Sequence, residues 1–243
     1  SDVCSSDLAN EVGAVTFAHQ HGCGIIGDDV AGIDNFFVAL ADHPNVQSVL
    51  AVGLGCETIQ SQELAAKLLA RNVSTQYRII QESGGVEGTV AAGVAAAQEL
   101  RAQYPERTVA LSSLTIGIEV GRTVAQLDEL EKLLKSEGCS VVTVRSEGSS
   151  AEAFSRLAEA KAHLIISFPD DNQPASGFPL IPVINVAGNG VLHQAIAGDF
   201  DCQEVNLLTE ILALMNKVVA GSQTIAEKNR SGEIRAPRVV RSV

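Results

Sequence analysis

The sequence predicts a layered α/β protein, a mostly parallel sheet flanked by helices, in two Rossmann-like halves. Three observations predict it. Short apolar runs alternate with stretches of helical length along the chain, the pattern of strand–crossover–strand units. In the first half a strand–loop–helix unit comes three times, and each strand runs into a polar, glycine-containing loop: His19–Gly24, Gly53–Glu57 and Gln81–Gly85. The apolar residues, 46% of the chain, are mostly Ala, Val, Leu and Ile, with 4% aromatics and no Trp, as suits helices layered on a sheet.

Taken in order, Leu8 to Ala18 predicts a short turn and then a strand over Val12 to Ala18, ending in the loop His19-Gln20-His21-Gly22-Cys23-Gly24. Asp28 or Asp29 is placed to cap a helix from about Val30 to Asp42, which His43-Pro44-Asn45 stops. Val46 to Leu54 is a nearly continuous apolar run, the mark of a strand buried on both faces. Ile59 to Arg71 has Leu64, Leu68 and Leu69 at helical spacing, Thr75 to Gln81 alternates as a strand, and Ala-rich Val86 to Gln103 is a helix ended by Tyr104-Pro105. The second half continues with a strand region over Val109 to Glu119, a helix over Thr123 to Ser136 with Gly138 as its C-terminal cap, and a strand over Ser140 to Val144. A helix over Ala151 to Ala160, strands over Ala162 to Phe168 and Leu180 to Val186, and a long amphipathic helix over Glu204 to Ala220 complete it. The expected organisation is a first α/β half over 9–105, a second over 106–222 and a polar, basic tail over 223–243.

A chain of 243 residues with a net charge of −12 offers no cationic surface for nucleic acid or anionic lipid. It does not exclude an anionic small substrate, because one local cation or helix N-terminus can hold a carboxylate. Five cysteines without framework spacing argue against a disulfide-built fold and for a reducing, cytoplasmic setting. No apolar run approaches the length of a membrane helix, and no signal-peptide pattern opens the chain; Ser1 to Leu8 reads as a fragment boundary or a non-native extension.

Parallel sheets bind ligands at the carboxyl ends of their strands, where the three polar loops fall. If the first loop stays extended, His19, His21 and Cys23 point to one side. The two histidines then read as metal ligands, or as one ligand and one base; the alternative is loop histidines bonded to nearby backbone. Cys23 and Cys56 read either as soft metal ligands or as small residues packed at glycine turns. Glu57 and Glu82 each follow a strand and read as base, ligand or helix-start carboxylate. Gly84-Gly85 lets the backbone approach a ligand at the start of a helix whose N–H groups can seat a carboxylate. Asn185, Asn189 and His193 either line the same site or cap the helix that follows them. The glycine-rich turns do not make G-x-G-x-x-G, which ranks a nucleotide-binding reading low.

His19 with Gly22-Cys23-Gly24, then Ala41-Asp42-His43-Pro44-Asn45, Val52 to Glu57 and Ile80 to Gly85 resemble, in order and spacing, the altronate/galactarate dehydratase family. That family's pattern runs H-x-x-G-C-G, A-R-H-P-N, V-x-G-L-G-C-E, I-Q-E-x-G-G and, further on, G-L-x-C-G-G-S-D. The resemblance covers roughly residues 10–120, and the strands over 163–168 and 181–189 look like the family's closing ones. Two family cysteines are replaced, by Val120 and Ala187; Val120-Gly121-Arg122-Thr123-Val124 stands where the family has Cys-Gly-Gly-Ser-Asp, and the family's opening strand has no counterpart before residue 8.

The resemblance implies a hydro-lyase that removes water from a small sugar acid such as altronate or galactarate, with a divalent metal, iron(II) or manganese. On that reading the catalytic residues are His19, His21, Glu57 and Glu82, and the metal ligands His19, His21, Cys23 and Cys56. The expected substrate contacts are Gly24, Gly84, Gly85, Asn185 and Asn189. A sulfo-lyase expelling a different group by the same elimination, and a non-catalytic ligand-binding or partner subunit of the same fold, remain open. The expected partners are a small hydroxy acid and either further copies of the chain or a companion N-terminal domain, with no nucleic acid and no membrane.

Overall fold

Apolar spacing and turn residues set the elements much as the sequence predicts. The computed structural model describes residues 8, 11–16, 27, 29–102, 109–147, 149–232 and 234. The chain divides between residues 106 and 107 into two compact units. The structure is α/β, with parallel sheets flanked by helices. Among the described residues no helix is long and apolar enough to cross a membrane.

The first unit contains α1 (Asp29–Ala41), β1 (Ser48–Gly53), α2 (Ser61–Leu69), β2 (Ser74–Ile79) and α3 (Gly85–Ala102). Strands β1 and β2 pair in parallel from Ser48 opposite Ser74 to Gly53 opposite Ile79, with α2 and α3 packed on both. Val38 and Ala41 of α1 meet Leu68 of α2, with Val49, Leu64 and Val73 packed around them. Asn72, with φ +64°, turns the chain from α2 into β2, a left-handed conformation that Asn tolerates. Thr89, Gly93, Ala96 and Leu100 form the buried stripe of α3. Gly93 belongs there because Leu8 packs where a side chain would stand: a Cβ would meet its Cδ1 at 2.1 Å.

Two expectations for this unit are corrected. Val12 is helical, with Glu11, rather than the start of a strand, and Gly13 turns with φ +63°. The Val12 carbonyl accepts a hydrogen bond from Arg101 Nη1 of α3 (3.0 Å) instead of joining a ladder. Residues 17 and 18 lie outside the described residues. The apolar run of β1 is not buried on both faces: only Ala51 and Gly53 are buried and the rest is half-buried.

The second unit contains β3 (Thr115–Val120), α4 (Leu127–Ser136), β4 (Ser140–Arg145), α5 (Ser150–Glu159), β5 (Leu164–Phe168), β6 (Val183–Ala187), α6 (Val191–Ala195), β7 (Cys202–Gln203), α7 (Leu207–Val219) and α8 (Ile225–Lys228). Its five strands are all parallel in the order β4-β3-β5-β6-β7. Counted within the unit this is the doubly wound order 2-1-3-4-5. Ile116, Ile118, Val120, Ile166 and Phe168 join Leu130, Leu134, Leu207, Ile211 and Met215 in one core between the sheet and helices α4 and α7. On the other face Gly117 admits α5, since a Cβ there would lie 3.1 Å from Leu157. Strands covered on both faces lose the alternation of a half-exposed sheet, and β5 and β6 are buried throughout.

Element starts shift where loops carry polar contacts. Leu111–Ser113 is a 3-10 turn before β3. Helix α4 begins at Leu127 rather than Thr123, leaving residues 121–126 as a loop. Strand β6 begins at Val183, after a bridge between Phe178 and Ile181. Helix α7 begins at Leu207, after a 3-10 turn over Glu204–Asn206.

Residues after α7 pack onto the unit. Thr224 and Glu227 form a reciprocal cap at the start of α8. Asp201 accepts hydrogen bonds from the backbone N–H of Ile225 and of Asn185, both at 2.9 Å. Burial raises the Asp201 carboxyl above its ordinary value of 3.8, against the opposing pull of those two bonds and of Lys228. A raised folded value means that the fold holds the proton more tightly than the unfolded chain. That contribution is present below the ordinary value and is lost as pH rises through the raised one. Urea unfolding between about pH 3.5 and about pH 7 is therefore expected to show the stability of the wild-type chain falling relative to Asp201→Asn as pH rises. A constant difference between the two would refute this assignment.

Candidate functional site

In the first unit the two described strand-end loops lie side by side. The N–H of Ile80 donates to Gly53 O (2.9 Å) and that of Gln81 to Leu54 O (3.3 Å). Gly55, at φ +116°, packs under Gln81, where a Cβ would stand 2.7 Å from its side-chain oxygen. The Glu57 carboxylate turns back on its own loop, accepting from the N–H of Leu54 and, at 2.9 Å, from that of Gly55. In this geometry Glu57 holds the turn; Cys56 and Glu82 are the exposed chemical groups of the two loops.

Gly84 and Gly85 adopt φ +78° and +83°, with open space where a Cβ would stand. They lead directly into α3, whose first turn is tied by Thr89 Oγ1 donating to Gly85 O (2.6 Å). The open backbone at the start of an 18-residue helix is the feature of this unit suited to an anion. His19, His21, Cys23 and Gly24 lie outside the described residues. Among the described residues no group of three or more His, Cys, Asp or Glu side chains gathers where it can hold a metal ion. The described donors, Cys56 and Glu82 with Glu57 turned to backbone, do not make a metal site by themselves.

In the second unit Asn185 is fully buried, and its amide holds the loop before β6, accepting from Ser176 N–H (3.3 Å) and donating to Ser176 O (2.9 Å). Here it acts as a clamp, with both ends of the amide engaged. Asn189 is exposed at the end of β6, and its carbonyl accepts from Gln194 Nε2 (3.1 Å). His193, also fully buried, accepts at Nδ1 from Gly188 N–H (2.8 Å) and faces the carbonyls of Asp170 (3.1 Å) and Gln173 (2.9 Å) with Nε2. These partners fix the tautomer with the proton on Nε2. His193 thus ties the loop after β5 to the loop after β6.

Two polar residues that the sequence reading did not single out dominate the carboxyl end of this sheet. Glu119, in β3, is completely buried; its carboxylate accepts from the hydroxyls of Ser146, Ser150 (3.2 Å) and Ser167 (2.8 Å). Arg122, on the next loop, donates through Nη1 to the Glu204 carboxylate and through Nη2 to Val186 O (3.2 Å), with its guanidinium 5.5 Å from the centre of the Phe168 ring. The signal for Glu119 was one ionisable residue inside an otherwise apolar strand, and for Arg122 a cation where the family pattern has glycine. Buried Cys202 is not a reactive thiol here, since burial first, then the Asp201 and Glu210 charges, push it up to about 12.

Residues 4–104 match the family model described as D-galactarate dehydratase/altronate hydrolase, second domain. Altronate dehydratase of Bacillus subtilis (strain 168) is 33% identical over 121 residues, 48% of this chain and 24% of that protein. Altronate dehydratase of Escherichia coli (strain K12) is 40% identical over 48 residues, 20% of this chain and 10% of that protein. The chain therefore aligns with a quarter or less of the length of these relatives. No solved structure matches it. Over residues 4–104 the chain is similar to the second domain of the D-galactarate dehydratase/altronate hydrolase family, and the two altronate dehydratases support that resemblance over part of their length.

Proposed function

We propose that the chain is the part of a hydro-lyase that carries the site for dehydrating a small sugar acid such as altronate or galactarate. The family match over residues 4–104, which spans all three polar loops, supports this reading. Removing water from a 2,3-dihydroxy acid requires abstraction of a weakly acidic proton beside a carboxylate and departure of hydroxide. The backbone N–H groups at Gly84-Gly85 seat the substrate carboxylate at the start of α3. Glu82, exposed two residues before Gly84, serves as the base. Glu57 keeps the Gly53–Glu57 loop in register beside it.

The proposed ligands of a divalent metal are His19, His21, Cys23 and Cys56. Two imidazoles and two thiols suit iron(II) better than manganese. When bound, the metal supplies Lewis-acid stabilisation of the charge that develops on the substrate. The same elimination would expel sulfite from a sulfonated hydroxy acid.

A second reading, a non-catalytic binding subunit, is favoured by Val120 and Ala187. Both stand where the family pattern has cysteine, and both are 3% exposed inside the sheet. Metal content of anaerobically purified protein separates the two readings. The lyase reading expects about one iron or manganese per chain, lost in His19→Ala and His21→Ala. It also expects keto-acid formation from altronate or galactarate, with kcat lowered at least about a hundredfold in Glu82→Gln. Protein that neither retains metal nor shifts its melting temperature with added metal would be the binding subunit.

A further inference from the structure

We propose that Arg122 is the carboxylate-binding residue of a small-molecule site in the second unit, and that the chain's own Asp171 competes for it. In a doubly wound sheet ligands bind outside the carboxyl ends of the strands, where the connections diverge to opposite faces. Here that place lies between β3 and β5. Arg122 stands on the loop after β3, Asp171 on the loop after β5, and Gly188 and Gly190 on the loop after β6.

The guanidinium is held in place before any ligand arrives. A guanidinium has five N–H groups. Nη1 faces the Glu204 carboxylate and, at 3.4 Å, Thr123 O; Nη2 faces Val186 O; the Phe168 ring lies beside the plane. The side chain is only 6% exposed, yet Nε has no hydrogen-bond partner. A buried donor left without an acceptor is costly, and a purely structural arginine would have its Nε–H bonded. Its nearest carboxylate, Asp171 Oδ1, stands at 3.7 Å, beyond hydrogen-bond range, and the Asp171 side chain is 51% exposed.

The free Nε–H and the second Nη2–H can bind a planar carboxylate in the bidentate manner that distinguishes arginine from lysine. Gly188 keeps the gap open: a Cβ there would lie 2.8 Å from Arg122 Nε and 2.5 Å from Asp171 Oδ1. A Cβ at Gly190 would stand 2.9 Å from that of Asp171. A half-solvated carboxylate standing off from a buried, oriented guanidinium is one that the carboxylate of a small acid can replace. Glu204 already faces Nη1, so a ligand carboxylate takes the place of the Asp171 charge rather than adding to it, and the site suits a singly charged group.

The proposed function supplies only the probe, galactarate. Isothermal titration of galactarate, and in parallel inorganic phosphate, into the metal-stripped full chain tests the site. Asp171→Asn should bind galactarate about fivefold more tightly than wild type, since a competing charge is removed. Arg122→Lys should bind it about tenfold more weakly, since the bidentate edge is lost. Phosphate should bind more weakly than galactarate. The gain in Asp171→Asn does not depend on whether Arg122→Lys folds well. No gain in Asp171→Asn, or a preference for phosphate, overturns the proposal. So does galactarate binding left unchanged in Arg122→Lys, which would leave the first-unit site standing. The Asp171 and Arg122 effects without keto-acid formation would instead overturn the hydro-lyase reading and keep this one.

Discussion

Glu119→Ala is expected to destabilise the second unit by about 3 kcal/mol, as urea unfolding would measure. The carboxylate is completely buried and receives three hydroxyls, from Ser146, Ser150 and Ser167. These come from the loop after β4, the start of α5 and strand β5, so one side chain in β3 ties three neighbouring elements together. Alanine removes all three acceptor contacts and leaves a cavity lined with hydroxyls. Glu119→Gln keeps the shape and an acceptor, and the hydroxyls can turn to receive its N–H groups; its expected cost is about 1 kcal/mol. If alanine costs no more than glutamine, the carboxylate is not what holds these elements.

Gly88→Ala is expected to cost about 2–3 kcal/mol in the first unit. Gly88 lies in the first turn of α3, and a Cβ there would meet Ser83 O at 1.9 Å. That oxygen belongs to the backbone, so the turn itself must move. Ser83 N–H donates to Ile79 O at 3.0 Å, so the displacement reaches the end of β2 and the Gln81–Gly85 loop. Gly84→Ala is the control. It sits at φ +78° with open space around it, so alanine there meets strain alone and costs about 1 kcal/mol. Equal losses for the two would remove the steric argument. On the hydro-lyase reading Gly88→Ala also lowers kcat/KM, because Gly84-Gly85 no longer presents its N–H groups in place.

Much of the architecture was legible because it is written in local patterns. Ile116, Ile118 and Val120 alternate with Gly117 and Glu119 in β3, and Thr89, Gly93, Ala96 and Leu100 repeat at helical spacing in α3. The GLGCE and QESGG loops were legible as strand-end turns, and the structure brings them together. Where a boundary was misplaced, a side chain from elsewhere had intervened. Arg101 takes the Val12 carbonyl from 89 residues away. Residues 121–126 stay out of α4, with Glu204 accepting from Arg122 and, at 3.1 Å, from Ala125 N–H.

By itself the sequence determined the α/β class, the order of most elements, and the family resemblance that the match over residues 4–104 supports. What only the tertiary structure decided is which polar groups are already engaged. Glu57 and Asn185 read as chemical groups in the chain but hold backbone in the fold. Glu119 and Arg122 read as ordinary charges and prove to be buried at the carboxyl end of the second sheet. The physical reason is range. Apolar periodicity reports on neighbours three or four positions away, whereas the partners that fix a buried charge lie far along the chain, 31 residues from Glu119 to Ser150 and 82 from Arg122 to Glu204.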